Sequence, residues 1–180
     1  MAQNGYLPRI SDHLLQEHLE AMGAVLIEGA KWCGKTSTAR QKAGSVLMLQ
    51  DPDQQESFKI SIEVKPSLLL RGDTPRLLDE WQMYPVLWDA VRFAVDQREA
   101  VGQFILTGSA VPMDGAVMHT GTGRISRMLM RPMSLFESGD SNGDVSLKAL
   151  FEGKTDIEGL SKLSIERLAY LVCRGGWPGA

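Results

Sequence analysis

In the segment Gly29-Ala-Lys-Trp-Cys-Gly34-Lys35-Thr36, two glycines bracket four residues, and a lysine and a hydroxyl follow. The spacing G-x-x-x-x-G-K-[ST] suits a triphosphate. Glycines let the backbone take up conformations closed to other residues and approach an anion closely. The loop's N–H groups then face inward onto anionic oxygens, and a following helix adds its positive end. Lys35 would reach the β- and γ-phosphates, and the Thr36 hydroxyl would be a ligand of Mg²⁺. Gly29, Ala30, Lys31, Trp32, Cys33, Gly34, Lys35, Thr36 and Ser37 are therefore the expected nucleotide-binding residues. Trp32 either shields the phosphates, faces a partner or is simply an exposed loop aromatic. The bland alternative for the whole segment is an accidental match in a chain with 18 glycines. The apolar run before it and the helical segment after it argue against accident.

Binding is not hydrolysis, which also needs a metal and an oriented water. Arg76-Leu-Leu-Asp79-Glu80 offers both at the end of a short apolar run. Asp79 would hold Mg²⁺, usually through a water, and Glu80 would polarise the attacking water. Asp-Glu pairs are common, so this one gains its weight from the phosphate loop. Leu106-Thr107-Gly108-Ser109 ends another run, where Thr107 or Ser109 could sense the γ-phosphate; equally, Ser109 could cap a helix or belong to a turn. Arg124, Arg127 and Arg131 form a basic cluster. Arg124 is the candidate for an arginine delivered by a neighbouring subunit to the γ-phosphate, against the plainer alternative of an ion pair within its own subunit. His13, His18 and His119 have no metal-ligand spacing, so no zinc site is expected.

These groups need elements to position them. Residues Ser11 to Met22 show helical spacing, with Ser11 or Asp12 as N-cap. Ala24–Ala30 reads as a strand buried on both faces. Lys35–Ala43 suits a helix capped by Gly44, and Ser45–Gln50 a second buried strand. A helix should begin after Pro52. Arg76–Glu80, Gln103–Ser109 and Arg124–Met133 complete five strands, with a helix over Val86–Gln97. Glu137–Asp144 reads as a linker, followed by short helices near Val145–Glu152 and Ile165–Arg174. Strands alternating with helices predict a parallel α/β sheet covered on both faces, with ligands at its C-terminal edge.

The chain of 180 residues suffices for one domain and a small appendage, and 43% apolar with 23% charged residues is ordinary globular composition. A net charge of −3 gives no reason to expect nucleic-acid binding. Cys33 and Cys173 read as free thiols. The N-terminus lacks signal-peptide character and no run is long enough to span a membrane, so the expected location is the cytoplasm.

Taken together, Gly29–Thr36, LLDEWQ at Leu77–Gln82, ILTGS at Ile105–Ser109, RMLMRPMSLFESG at Arg127–Gly139 and the terminal GGWPGA resemble a family of bacterial and archaeal AAA+-type ATPases. In it an ATPase domain precedes a C-terminal domain of unknown function. The resemblance implies a P-loop NTPase with a RecA-like sheet of about five strands in the order 5-1-4-3-2 and a small helical C-terminal extension. It implies Lys35 and Thr36 as nucleotide and metal ligands, Asp79 and Glu80 as the Mg²⁺ and water-activating pair, and Thr107 or Ser109 as sensor. Arg124 is a looser correspondence. Family members continue past GGWP, so residues 1–139 are expected to be the ATPase domain and 140–180 the linker and helical start of a longer C-terminal region. The expected activity is Mg²⁺-dependent ATP hydrolysis coupled to movement of that region. The alternatives are a nucleotide-binding regulatory or scaffold module that hydrolyses little, or a small-molecule kinase, against which Glu80 argues. No Asn-Lys-x-Asp segment reads guanine, which favours ATP. Tyr6, Pro8, Arg9 and Ile10 could pack on the base or form an ordinary arm.

Overall fold

A computed structural model of the chain describes residues 5–108, 121–156 and 158–179. It divides into two compact units, one ending at Arg131 and the other beginning at Pro132. In the first, helix α1 (Ile10–Ala21) leads into strand β1 (Ala24–Gly29) and helix α2 (Lys35–Lys42). Strand β2 (Ser45–Met48), helix α3 (Gln55–Val64), strand β3 (Arg76–Asp79) and helix α4 (Val86–Arg98) follow. Strands β4 (Phe104–Thr107) and β5 (Ile125–Met130) complete it. Every strand pair is parallel, and the order is β2-β3-β4-β1-β5. This is the expected order 5-1-4-3-2 read from the other edge, and the fold is that of a P-loop NTPase.

Strand side chains alternate between the two faces, and the burial follows that period. Ala24 and Leu26, Leu78, Phe104 and Leu106, and Ile125 enter one core with Leu87, Trp88, Val91 and Val95 of α4. Val25 and Ile27, Leu77, Ile105, Met128 and Met130 enter the other, with Leu15 and Leu19 of α1 and Ala39 of α2. The same alternation assigns Asp79, two residues after Leu77, and Thr107, two after Ile105, to the α2 face. Register makes those two residues neighbours across β3 and β4.

Three local expectations are corrected. Helix α1 starts at Ile10 rather than Ser11, because Arg9 is its N-cap and Asp12, three residues on, accepts from the Arg9 N–H at 2.8 Å. Helix α2 is capped by Ala43, not Gly44. Gly44 instead permits a close chain approach, since a Cβ there would stand 2.6 Å from the Thr74 carbonyl oxygen. Strand β2 is not buried on both faces; it is one of the two edge strands, and Val46 is exposed.

The second unit holds helix α5 (Leu147–Phe151) and helix α6 (Ile165–Arg174). It is organised around Asp140, whose oxygens meet Arg167 Nη2 at 2.8 Å and Arg174 Nη2 at 3.2 Å, with the Ser138 hydroxyl donating at 2.8 Å. Those donors, the Arg167 guanidinium first, hold the Asp140 carboxyl below its ordinary range. Among the described residues, no helix is long and apolar enough to cross a membrane.

Candidate nucleotide site

The phosphate loop leaves the C-terminal end of β1 and turns into α2 through backbone that only particular residues accept. Gly29 has φ 151° and Gly34 φ 104°. A Cβ at Gly29 would lie 2.1 Å from the Met130 carbonyl oxygen, so β1 and β5 can close together here only around a glycine. Gly34 is the N-cap of α2 and provides no side-chain cap. The first N–H groups of that helix therefore have no partner within it and constitute an anion-binding end. Lys35 is buried, and its Nζ donates to the carbonyls of Gly29 at 2.9 Å and Ala30 at 2.8 Å, so the ammonium lies inside the curl of the loop.

Thr36, on the first turn of α2, donates from Oγ1 to Asp79 Oδ1 at 2.6 Å. Thr107 donates to the same oxygen at 2.6 Å, and Gln50 Nε2 to Asp79 Oδ2 at 2.8 Å. Asp79 is only 2% exposed. A buried carboxylate is tolerable only when donors surround it, and three converge on this one. The strand alternation that turns Asp79 toward α2 would turn Glu80 to the opposite face. It does not act there, because Glu80 leaves the strand with left-handed backbone, φ 58° and ψ 44°, into the single-turn helix Trp81–Met83.

The expected residues are not all brought together. Thr36, Asp79 and Thr107 meet, Lys35 is held against the loop carbonyls of Gly29 and Ala30, and Glu80 stands one residue along the chain from Asp79. Of the loop's variable positions, Cys33 is fully buried in the α1–α2 core, whereas Trp32 is 74% exposed with φ 64° and Lys31 Nζ above its ring. Ser109 and His119 lie outside the described residues. Arg124 is not brought to the loop of its own chain. It precedes β5, whose first residue pairs with the first residue of β1, so it sits at the opposite sheet edge. There its Nε meets Asp96 at 2.7 Å, the plainer of the two alternatives for this residue. Arg127 pairs with Glu28 at 2.8 Å.

The N-terminal arm has a role that sequence reading missed. Tyr6 and Arg9 lock the phosphate loop from behind. Buried Arg9 donates from Nη1 to the Cys33 carbonyl at 2.8 Å and from Nη2 to the Arg131 carbonyl at 2.9 Å. The Tyr6 hydroxyl bonds the Asp12 carboxylate and lies 3.0 Å from Thr38 Oγ1 on α2. Burial, reinforced by the Asp12 hydrogen bond, pushes the Tyr6 phenol up from its ordinary value. Gln50 was missed as well. Nothing periodic marks such residues, and an arginine is by default expected on the surface.

With loop, helix end and buried carboxylate in one place, comparison with known families is decisive. The model of the family described as an AAA domain matches residues 22–138. The chain belongs to that family. Comparison with curated proteins gives no match. The AAA domain match runs from the end of α1 past β5 and so includes the loop, Asp79, Glu80 and Thr107. It supports nucleotide binding and, at a general level, ATPase chemistry.

Proposed function

We propose that the chain binds Mg²⁺-ATP at Gly29–Thr36 and hydrolyses its terminal phosphoanhydride. The observation that carries this reading is the meeting of Thr36 Oγ1 and Asp79 Oδ1 at 2.6 Å beside the free N-terminus of α2. A hydroxyl and a carboxylate are hard oxygen donors, and Mg²⁺ takes only one or two protein ligands alongside water and substrate phosphates. When bound, Mg²⁺ neutralises phosphate charge and aligns the attacking and leaving oxygens. Loop N–H groups and the Lys35 ammonium hold the phosphates. Glu80 takes a proton from water as the water oxygen bonds to the γ-phosphorus. The bond from that phosphorus to the bridging oxygen breaks, and its electron pair leaves with ADP. Thr107, with Ser109 beyond it, is the sensor position in this scheme.

Coupling to a C-terminal region belongs to the same proposal. It is supported by the exit of the sheet unit. Met130 pairs with Gly29, its carbonyl accepts from the Cys33 thiol at 3.6 Å, and Arg9 ties the Arg131 carbonyl to the loop. A loop that tightens on nucleotide would pull on the chain where it leaves β5. A cytoplasmic setting, which supplies ATP and Mg²⁺, fits the free thiols Cys33 and Cys173.

The test is phosphate release by the purified chain with Mg²⁺-ATP, alongside Glu80→Gln. The variant should bind a fluorescent ATP analogue as the native chain does and lose turnover by about 100- to 10,000-fold. Unchanged turnover removes Glu80 from the mechanism. Binding without phosphate release by the native chain makes the protein a nucleotide-binding module.

A further inference from the structure

Gln82 lies two residues beyond Glu80 in the single-turn helix, and the scheme above does not use it. Its Nε2 donates to Glu80 Oε2. A carboxylate only accepts, so this contact fixes which way the amide faces. Gln82 Oε1 is thereby turned away from Glu80. It is buried, and among the described residues it has no hydrogen-bond donor. It lies against Gly108, immediately after Thr107, so closely that a Cβ built there would meet it at 2.2 Å. Buried polar atoms are rarely left unpaired, and such an exception calls for a functional reason. The amide is held in place by what its nitrogen grips. Among the described residues no other group hydrogen-bonds the Glu80 carboxylate. That carboxylate also hangs from a left-handed backbone position unusual for a residue with a Cβ. Strain of this kind persists where surrounding structure enforces it, and it clusters at functional sites.

We infer that Gln82 is a positioning residue for hydrolysis. Its amide tethers one oxygen of Glu80 and leaves the other to accept the proton of the attacking water, while Gly108 is the gap that admits the amide. This rests on the ATPase reading. A base held in one orientation acts only in the chemical step, so the tether affects kcat and not nucleotide binding.

Two variants attack the tether differently. Gln82→Met keeps an unbranched side chain and removes the amide. Gly108→Ala removes no polar group but drives a methyl into the space of Oε1; the displaced atom ends a flexible side chain, so the fold survives. Each should lower kcat, Gln82→Met by about 100-fold, with KM and the affinity for a fluorescent ATP analogue within about twofold. Added to Glu80→Gln, Gln82→Met should cause no further loss. A second readout needs no nucleotide: the Gln82 side-chain amide signal in ¹H–¹⁵N spectra should move in Glu80→Ala and in Gly108→Ala. Full turnover in Gln82→Met, equal losses of affinity and kcat, or an amide signal indifferent to Glu80→Ala would each overturn the inference. If the native chain itself shows no turnover, the hydrolysis reading fails by that result, and the positioning role falls with it; the amide signal still reports whether the tether forms.

Discussion

At the C-terminal end of the sheet, Asp79 is buried and takes hydrogen bonds from Thr36, Thr107 and Gln50, while Lys35 and Arg9 are buried against backbone carbonyls. At the N-terminal end, roughly 17 Å away along β5, Arg124 pairs with Asp96 near the end of α4; from Asp96 further ion pairs run back along that helix through Arg92 to Asp89 in its first turn. Arg124 is 44% exposed there, and the Arg92 contacts stretch to 3.7 Å. Charge is present at both ends. At the C-terminal end a whole carboxylate is buried among donors, whereas the Arg124–Asp96 pair stays partly exposed. Desolvation strengthens electrostatic interactions and makes loss of a single partner costly; exposed pairs are screened and nearly interchangeable with water. The comparison teaches that a candidate site is recognised by a charged group buried among donors from several elements at once, not by the density of charge.

The sharpest way to break this comparison is Asp79→Ala. The substitution strands the Thr107 hydroxyl in a buried place and takes the acceptor from Thr36 and Gln50 as well. Each hydrogen bond to a charged group contributes about 1.5–3 kcal/mol, so urea unfolding should show a loss of about 3 kcal/mol or more. Mg²⁺-dependent strengthening of nucleotide binding should vanish as well. A variant as stable as the native chain would show that the cluster is no more than surface decoration like the opposite end.

Arg9→Met tests whether the arm belongs to the buried end. The methionine can fill the stem's space but releases the Cys33 and Arg131 carbonyls. Stability should fall by about 2 kcal/mol, and nucleotide affinity should fall too, because the loop would lose its rear support. Loss of stability with unchanged affinity would make Arg9 a fold residue only.

The parts legible in sequence were those set by local pattern. The glycine-rich loop between β1 and α2, the alternation of strands and helices, and the end of β3 at Asp79 are each signalled by local sequence. The sequence left Thr107 and Ser109 open; the β3–β4 register is what sets Thr107 beside Asp79. What escaped depends on distant partners. Arg9 finds carbonyls at positions 33 and 131, and Gln50 finds Asp79, through packing of elements that no short window contains. The left-handed turn at Glu80 escaped because nothing in a carboxylate's identity announces that backbone. The exposure of β2 escaped because an apolar run reads alike at the edge and in the middle of a sheet. Arg124 is different: its position was implicit in the sequence. A residue that opens a parallel strand lies at the edge opposite the loop that closes the neighbouring one.

That placement gives the smallest expected effect and the cleanest contrast. Arg124→Ala breaks a half-exposed pair with Asp96. Such pairs contribute about 0–1 kcal/mol, so unfolding should shift by about 0.5 kcal/mol or less. Dilute protein should keep its nucleotide affinity and turnover, since within one chain Arg124 cannot reach across the sheet to the phosphates. The measurement is turnover per chain across a range of protein concentrations, native against variant. An arginine donated between copies would reveal itself as native turnover that rises with concentration and variant turnover that does not. Equal, concentration-independent turnover in both would leave Arg124 as a strut between β5 and α4, with the buried end supplying all the chemistry.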